Sequence, residues 1–171
     1  EHPLNERIRT LMRLEDLFAR VRHFAAQEAA PEHHAALVSL FEITDVAARA
    51  DLKADLVQEL ERQKHVLAPL RNNPNIEQQA LEALLADTDA IASQLLGQQG
   101  KVGTHLRDNE WLMAIKQRTA IPGGVSEFDL PAYHYWLNRT PEQRRYDLAN
   151  WIEPFVPIAA GVAIVLRLLR E

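Results

Sequence analysis

Cysteine is missing from all 171 residues. Its absence excludes disulfides and thiolate metal centres and suits a reducing compartment such as the cytoplasm. A basic excess is missing as well: 19 Lys and Arg stand against 24 Asp and Glu, a formal net charge of -5. Neutralising a phosphate backbone needs a cationic surface, so nucleic acid is not expected as the main partner. Catalytic signatures are equally scarce. None of the seven histidines follows a Glu at a spacing of three, which removes the helical Glu-x-x-His carboxylate-metal pattern. There is no His-Glu-x-x-His, no Walker loop and no nucleophile elbow. Gly97, Gly100 and Gly103 recur at intervals of three, but no strand pattern precedes them, so a dinucleotide site is rejected. No catalytic residue, metal or cofactor is assigned, and an enzyme would need a site assembled only in space.

Long hydrophobic runs are absent too. Pro154 to Leu166 is thirteen residues without a charge, and Arg167 follows. A membrane span takes about 20 residues, so this segment reads as a buried core helix or a subunit interface, with no membrane insertion. No secretory signal is visible. The chain opens at Glu1 and closes on Leu168-Leu169-Arg170-Glu171 in mid-pattern, and it is expected to be a piece of a longer polypeptide.

What is present is helical periodicity. With 47% hydrophobic and 25% charged residues, the chain can bury a real core and is not of disordered composition. Leu4, Ile8, Leu11, Leu14, Phe18 and Val21 recur at steps of three and four between Asn5 and about Gln27, the stripe of a first helix. Glu6, Arg9, Arg13, Asp16, Arg20 and His23 form its polar face. That row reads either as a solvated face or as an arginine stripe for an acidic peptide. Pro31 opens a second helix through Leu37, Leu40, Phe41, Ile43 and Val46. His33 and His34 in its first turn point about 100° apart and cannot share a metal, and they read as surface residues. A third helix runs from Asp51 to Leu67, and Pro69 and Asn72-Asn73-Pro74 end it. Asn75 is expected to cap a fourth, with Ile76, Ala80, Leu84, Ile91 and Leu95 inward and four acids but no Lys or Arg from 75 to 99.

The most distinctive stretch comes later. Asp108 is expected to cap a fifth helix that carries Trp111, Leu112 and Ile115 and delivers Lys116 and Arg118 to an elbow at Pro122-Gly123-Gly124. Asp129 and Pro131 then suit the start of a short aromatic helix in which Tyr133, Trp136 and Leu137 share one face. Thr140-Pro141-Glu142-Gln143 is a capping-box start. The elbow reads as a rigid anchor of the core or as a partner-binding corner. The residues by themselves give an all-α domain of about six to eight helices that binds other proteins, with the partner left open.

Three separated stretches narrow it. Glu1-His2-Pro3-Leu4-Asn5-Glu6-Arg7-Ile8-Arg9-Thr10 with Arg13-Leu14-Glu15, then Leu56-Val57-Gln58-Glu59-Leu60-Glu61-Arg62-Gln63, then Arg118 with Ile121-Pro122-Gly123-Gly124 and Phe128-Asp129-Leu130-Pro131 through His134-Tyr135-Trp136-Leu137, together resemble ZapD, the bacterial Z-ring-associated protein D family. The resemblance spans most of the chain. It implies a cytoplasmic division factor, recruited to midcell, that binds the C-terminal tail of the tubulin-like protein FtsZ and bundles FtsZ filaments as a homodimer. It also implies that residues 1–171 are the family's helical domain, without the β-rich segments that lie before and after it. The family's tail contacts are basic, and carried over residue by residue they fall on Arg9, Arg13, Arg49, Arg118 and His134. Glu110 stands where relatives can carry Arg, which shifts the patch towards Lys116. Two other readings stay open: a helical scaffold for a different acidic or mixed-charge peptide, and, last, a helical enzyme.

Overall fold

The computed structural model describes residues 2–48, 51–98, 100–122 and 130–170. Among these residues the regular elements are helices and none is a strand, so the all-α expectation holds. In chain order they are α1 (His2–Ala25), α2 (Ala30–Ala48), α3 (Leu52–Leu67), α4 (Gln78–Gly97), α5 (Thr104–Arg107), α6 (Glu110–Thr119), α7 (Pro131–Leu137), α8 (Pro141–Ile152) and α9 (Val156–Arg170). Two compact units share them.

Unit one takes residues 1–15, 50–101 and 156–171. Here α3, α4 and α9 pack against one another, burying Leu56 and Leu60, Leu81, Leu85 and Leu95, and Ile158, Val162, Val165 and Leu166. Burial of each such side chain contributes about 1.5–3 kcal/mol. Gly161 sets how closely α9 can lie: a Cβ built there would fall 2.9 Å from Leu56 Cδ2 and 3.5 Å from Ile91 Cγ2. Glu59 is buried on α3 between two arginines, Arg7 at 3.2 Å and Arg62 at 3.0 Å. Such flanking is what lets a carboxylate leave water.

Two expectations for α4 are corrected. The helix starts at Gln78 rather than after Asn75, because the Asn73 carboxamide oxygen accepts the Asn75 N–H at 2.9 Å. That side-chain turn competes with helix formation and delays it. The inward row is Leu81, Leu85, Thr88, Ala92 and Leu95: Leu95 is buried as expected, whereas Leu84 and Ile91 are only half-buried and Ala80 is exposed. The acids of this helix are partly neutralised within the unit: Glu82 pairs with Arg71 at 2.6 Å and Asp89 with Lys64.

Unit two takes residues 16–49 and 102–155. Its centre is α2, which packs on α6, α7 and α8. It buries His33, Ala36, Leu37, Ser39, Leu40, Phe41, Ile43, Thr44 and Ala47, more than one helix face can supply. Gly103, at φ +85°, turns the chain into α5. The cap of α6 is Asn109 rather than Asp108; its carboxamide oxygen accepts the Leu112 N–H at 3.0 Å. The capping box at Thr140 and Gln143 forms as expected.

The reading of His33 as a surface residue is overturned, and His34 is half-buried. His33 is fully buried, and Arg144, itself buried on α8, donates its Nε–H to His33 Nδ1 at 2.8 Å. The other ring nitrogen therefore carries the proton and donates to the Gln27 carbonyl at 2.7 Å. Arg144 also donates to the carbonyls of Glu28, Leu137 and Arg139.

The run from Pro141 to Arg170 continues past Pro154 through a 3-10 turn at Glu153–Phe155. It is the one helical run among the described residues long and apolar enough, by length and composition, to cross a membrane. Within unit one, Ile158, Val162, Val165 and Leu166 of that run are core residues.

Candidate partner-binding site

The short helices of unit two carry most of its accessible chemistry. Capped by Asn109, α6 points Leu112 and Ile115 inward and leaves Lys116 and Arg118 in its last turn. Cations there complement the carbonyl end of the helix. Pro131 opens α7, which buries Tyr133 and Trp136 and leaves Tyr135 73% exposed, the inward and outward faces expected from spacing. The Gly123-Gly124 part of the elbow and Asp129 lie outside the described residues.

A hollow of about 450 Å³ opens between α2 and the end of α6, lined by His34, Val38, Phe41, Asp45, Lys116 and Ile121. Lys116 Nζ sits 2.7 Å from Asp45 Oδ1, so its charge is shared with α2. His34 Nδ1 lies 2.5 Å from the Tyr133 hydroxyl. Burial raises the Tyr133 pKa well above the usual phenol range, so the phenol stays protonated in its hydrogen bond with His34. Burial, and then the neighbouring His134, hold the His34 pKa below its usual value. Glu42 also lines this hollow and enters none of the ion pairs among the described residues, so with Lys116 matched by Asp45 the wall keeps a negative charge, while Arg118 is exposed two positions beyond Lys116.

The basic residues singled out in the sequence do not share one unit. Arg9 and Arg13 belong to unit one, Lys116, Arg118 and His134 to unit two, and Arg49 lies outside the described residues. Arg9 and Arg13 stand exposed on the polar face of α1. Among the described residues Arg9, Arg13 and Arg118 take part in none of the ion pairs. No cluster of three metal-ligating side chains occurs among the described residues.

Sequence reasoning missed a second concavity, a groove of about 540 Å³ whose walls include Trp111, Trp136, Trp151 and Tyr135, with Arg139 and Asp147 at its edge. Ring centroids are 6.0 Å apart for Trp111–Trp136 and 5.7 Å for both Trp111–Trp151 and Trp136–Trp151. The Trp136 indole N–H donates to Asp147 Oδ2 at 2.9 Å, and Arg139 Nη1 lies 3.7 Å from the same oxygen. The sequence showed only three tryptophans, one on each of three short helical segments.

The class these features define is an all-α protein whose accessible chemistry lies in surface cations and an aromatic groove. Residues 12–171 match the ZapD family, described as a cell division protein. A protein of Aromatoleum aromaticum named Cell division protein ZapD is 60% identical over 170 residues, covering 99% of this chain and 66% of its own. Proteins of the same name from Dechloromonas aromatica and Nitrosomonas europaea are 58% and 56% identical over 171 residues, covering 68% and 65% of their own lengths. The chain belongs to the ZapD family of cell division proteins. It spans about two thirds of the length of these relatives.

Proposed function

We propose that residues 1–171 are the helical domain of a non-enzymatic division factor that binds the C-terminal tail of FtsZ. Its place is the cytoplasm, at the midcell division site, where it cross-links FtsZ filaments as a homodimer. Arg9, Arg13, Arg49, Lys116, Arg118 and His134 make the tail contacts. The observation that carries this reading is that Arg9, Arg13 and Arg118, together with Arg20, Arg22 and Arg167, are exposed arginines left out of the ion pairs among the described residues, on a chain of net charge -5. An acidic protein that keeps guanidinium groups exposed and uncommitted has them available for carboxylates on a partner. Family membership in a set of cell division proteins supports the direction.

The test is co-sedimentation with FtsZ filaments across a salt series, with Arg13→Ala beside the unsubstituted chain and thermal melting of both. Salt-sensitive pelleting that Arg13→Ala weakens at unchanged Tm is expected, since surface changes cost under about 0.5 kcal/mol. Pelleting that ignores both salt and the substitution refutes the arginine contacts. Absence of pelleting at low salt points to a different acidic or mixed-charge peptide.

A further inference from the structure

We propose that the groove formed by Trp111, Trp136, Trp151 and Tyr135 is a subsite for one uncharged apolar side chain of the bound tail peptide, an inference that rests on the tail-binding reading above. The charge around the groove selects this occupant. Its one carboxylate, Asp147, already meets both the Trp136 indole N–H and the Arg139 guanidinium. A cationic or anionic ligand would thus find its countercharge compensated, while an aliphatic or aromatic side chain finds indole walls. Arg139 and Asp147 at the edge offer N–H donors and a carboxylate oxygen to the C=O and N–H of the peptide's own backbone.

Position supports the same occupant. The groove and the proposed basic contacts share two short helices: α6 carries Trp111 together with Lys116 and Arg118, and α7 carries Tyr135 and Trp136 together with His134. Arg118 stands seven positions after Trp111, on the same face of α6, so a peptide held there runs towards the indoles. Tyr135 adds an exposed ring at the mouth. Recognition of this form joins charge-assisted contacts, which set orientation and salt dependence, to a buried apolar anchor, which sets residence time.

The protein supplies its own probe, because all three of its tryptophans line this groove. The chain is titrated with FtsZ tail peptide while indole emission is followed, and affinity is measured independently by calorimetry. The variants are Ala132→Phe, which fills the mouth from an exposed position of α7, and Tyr135→Ala. A second arm leaves the protein intact and replaces the peptide's apolar residues one at a time by serine. Saturable blue-shifted or quenched emission is expected, with affinity weakened roughly tenfold or more by Ala132→Phe and by one of the serine peptides. If calorimetry shows salt-sensitive binding while emission stays still and every variant binds as before, the subsite is wrong and tail binding stands. If no peptide binds by either method, both are wrong. Emission that responds to tetramethylammonium chloride but not to the peptide would make the groove a cation cage and overturn the proposal.

Discussion

Replacing Arg144 by alanine should cost unit two a large part of its stability, and the size of the loss can be worked from its contacts. The guanidinium donates to one imidazole nitrogen and three backbone carbonyls, and no carboxylate is among these partners. Hydrogen bonds from a charged donor contribute about 1.5–3 kcal/mol each, which would sum to far more than is observed for single substitutions. Burying an unpaired guanidinium opposes that gain by several kcal/mol. What remains is the cost of leaving the carbonyls of Glu28, Leu137 and Arg139 and the His33 nitrogen without a donor, so a net loss of about 3–5 kcal/mol is expected. For a chain of this length that lowers Tm by on the order of 6–20 °C. Urea unfolding followed by tryptophan emission reads the right unit, since Trp111, Trp136 and Trp151 all belong to it. Arg145→Ala is the control. Its half-exposed pairing with Glu142 is worth under about 1 kcal/mol. Arg144→Lys should recover only part of the loss, because an ammonium cannot reproduce the fork. A loss below about 1 kcal/mol for Arg144→Ala, equal to the control, would show that water replaces the guanidinium and that the network is incidental.

Gly161→Ala sets a gain in helix propensity of about 1 kcal/mol against overpacking of about 1–3 kcal/mol on Leu56, so a net destabilisation near 1 kcal/mol is expected by denaturant melts; a stabilised variant would refute the close approach. Stability should fall as pH falls below the unfolded histidine value of 6.5, because burial holds His33 and His34 neutral in the fold and the unfolded chain then binds more protons. Their contribution is complete above pH 6.5 and declines by at most about 1.4 kcal/mol per pH unit for each ring, so a flat profile from pH 7.5 to 5.5 contradicts the buried tautomer. Bundling should need two linked sites, since avidity exceeds single-site affinity by about 10² to 10⁴. A monomeric variant that keeps tail affinity yet scatters light with filaments as fully as before would refute the cross-linking mechanism.

The features legible in the sequence are those set by near neighbours. The capping box at Thr140 depends on residues three apart, and the inward turn of Tyr133 and Trp136 on a spacing of three. Both formed as read. The errors came where a side chain's fate is decided far along the chain. His33 looked like a surface residue because its partner, Arg144, stands 111 positions away. The start of α4 moved to Gln78 because Asn73 captured an amide before the helix began. In the candidate site, the exposure of Arg9 and Arg13 followed from periodicity, whereas the Lys116–Asp45 pair joins two helices and left no local mark. The tryptophan groove was hidden for the same reason. Each indole was visible on its own helix, and their meeting is a property of three helices packed together.

Neither unit is a contiguous piece of the chain: three segments make one and two make the other. Glu15 and Arg170, held together at 2.9 Å in unit one, are 155 positions apart. An interleaved layout of this kind has a consequence for biosynthesis. The core formed by α3 and α4 cannot close when those helices leave the ribosome, because α9, which covers both, is made after all of unit two. Until then Leu56, Leu60, Leu85 and Leu95 wait without their cover, and the long loop closures slow their burial. Unit two has no such delay beyond Phe155, so the order of synthesis favours it as the first unit to mature.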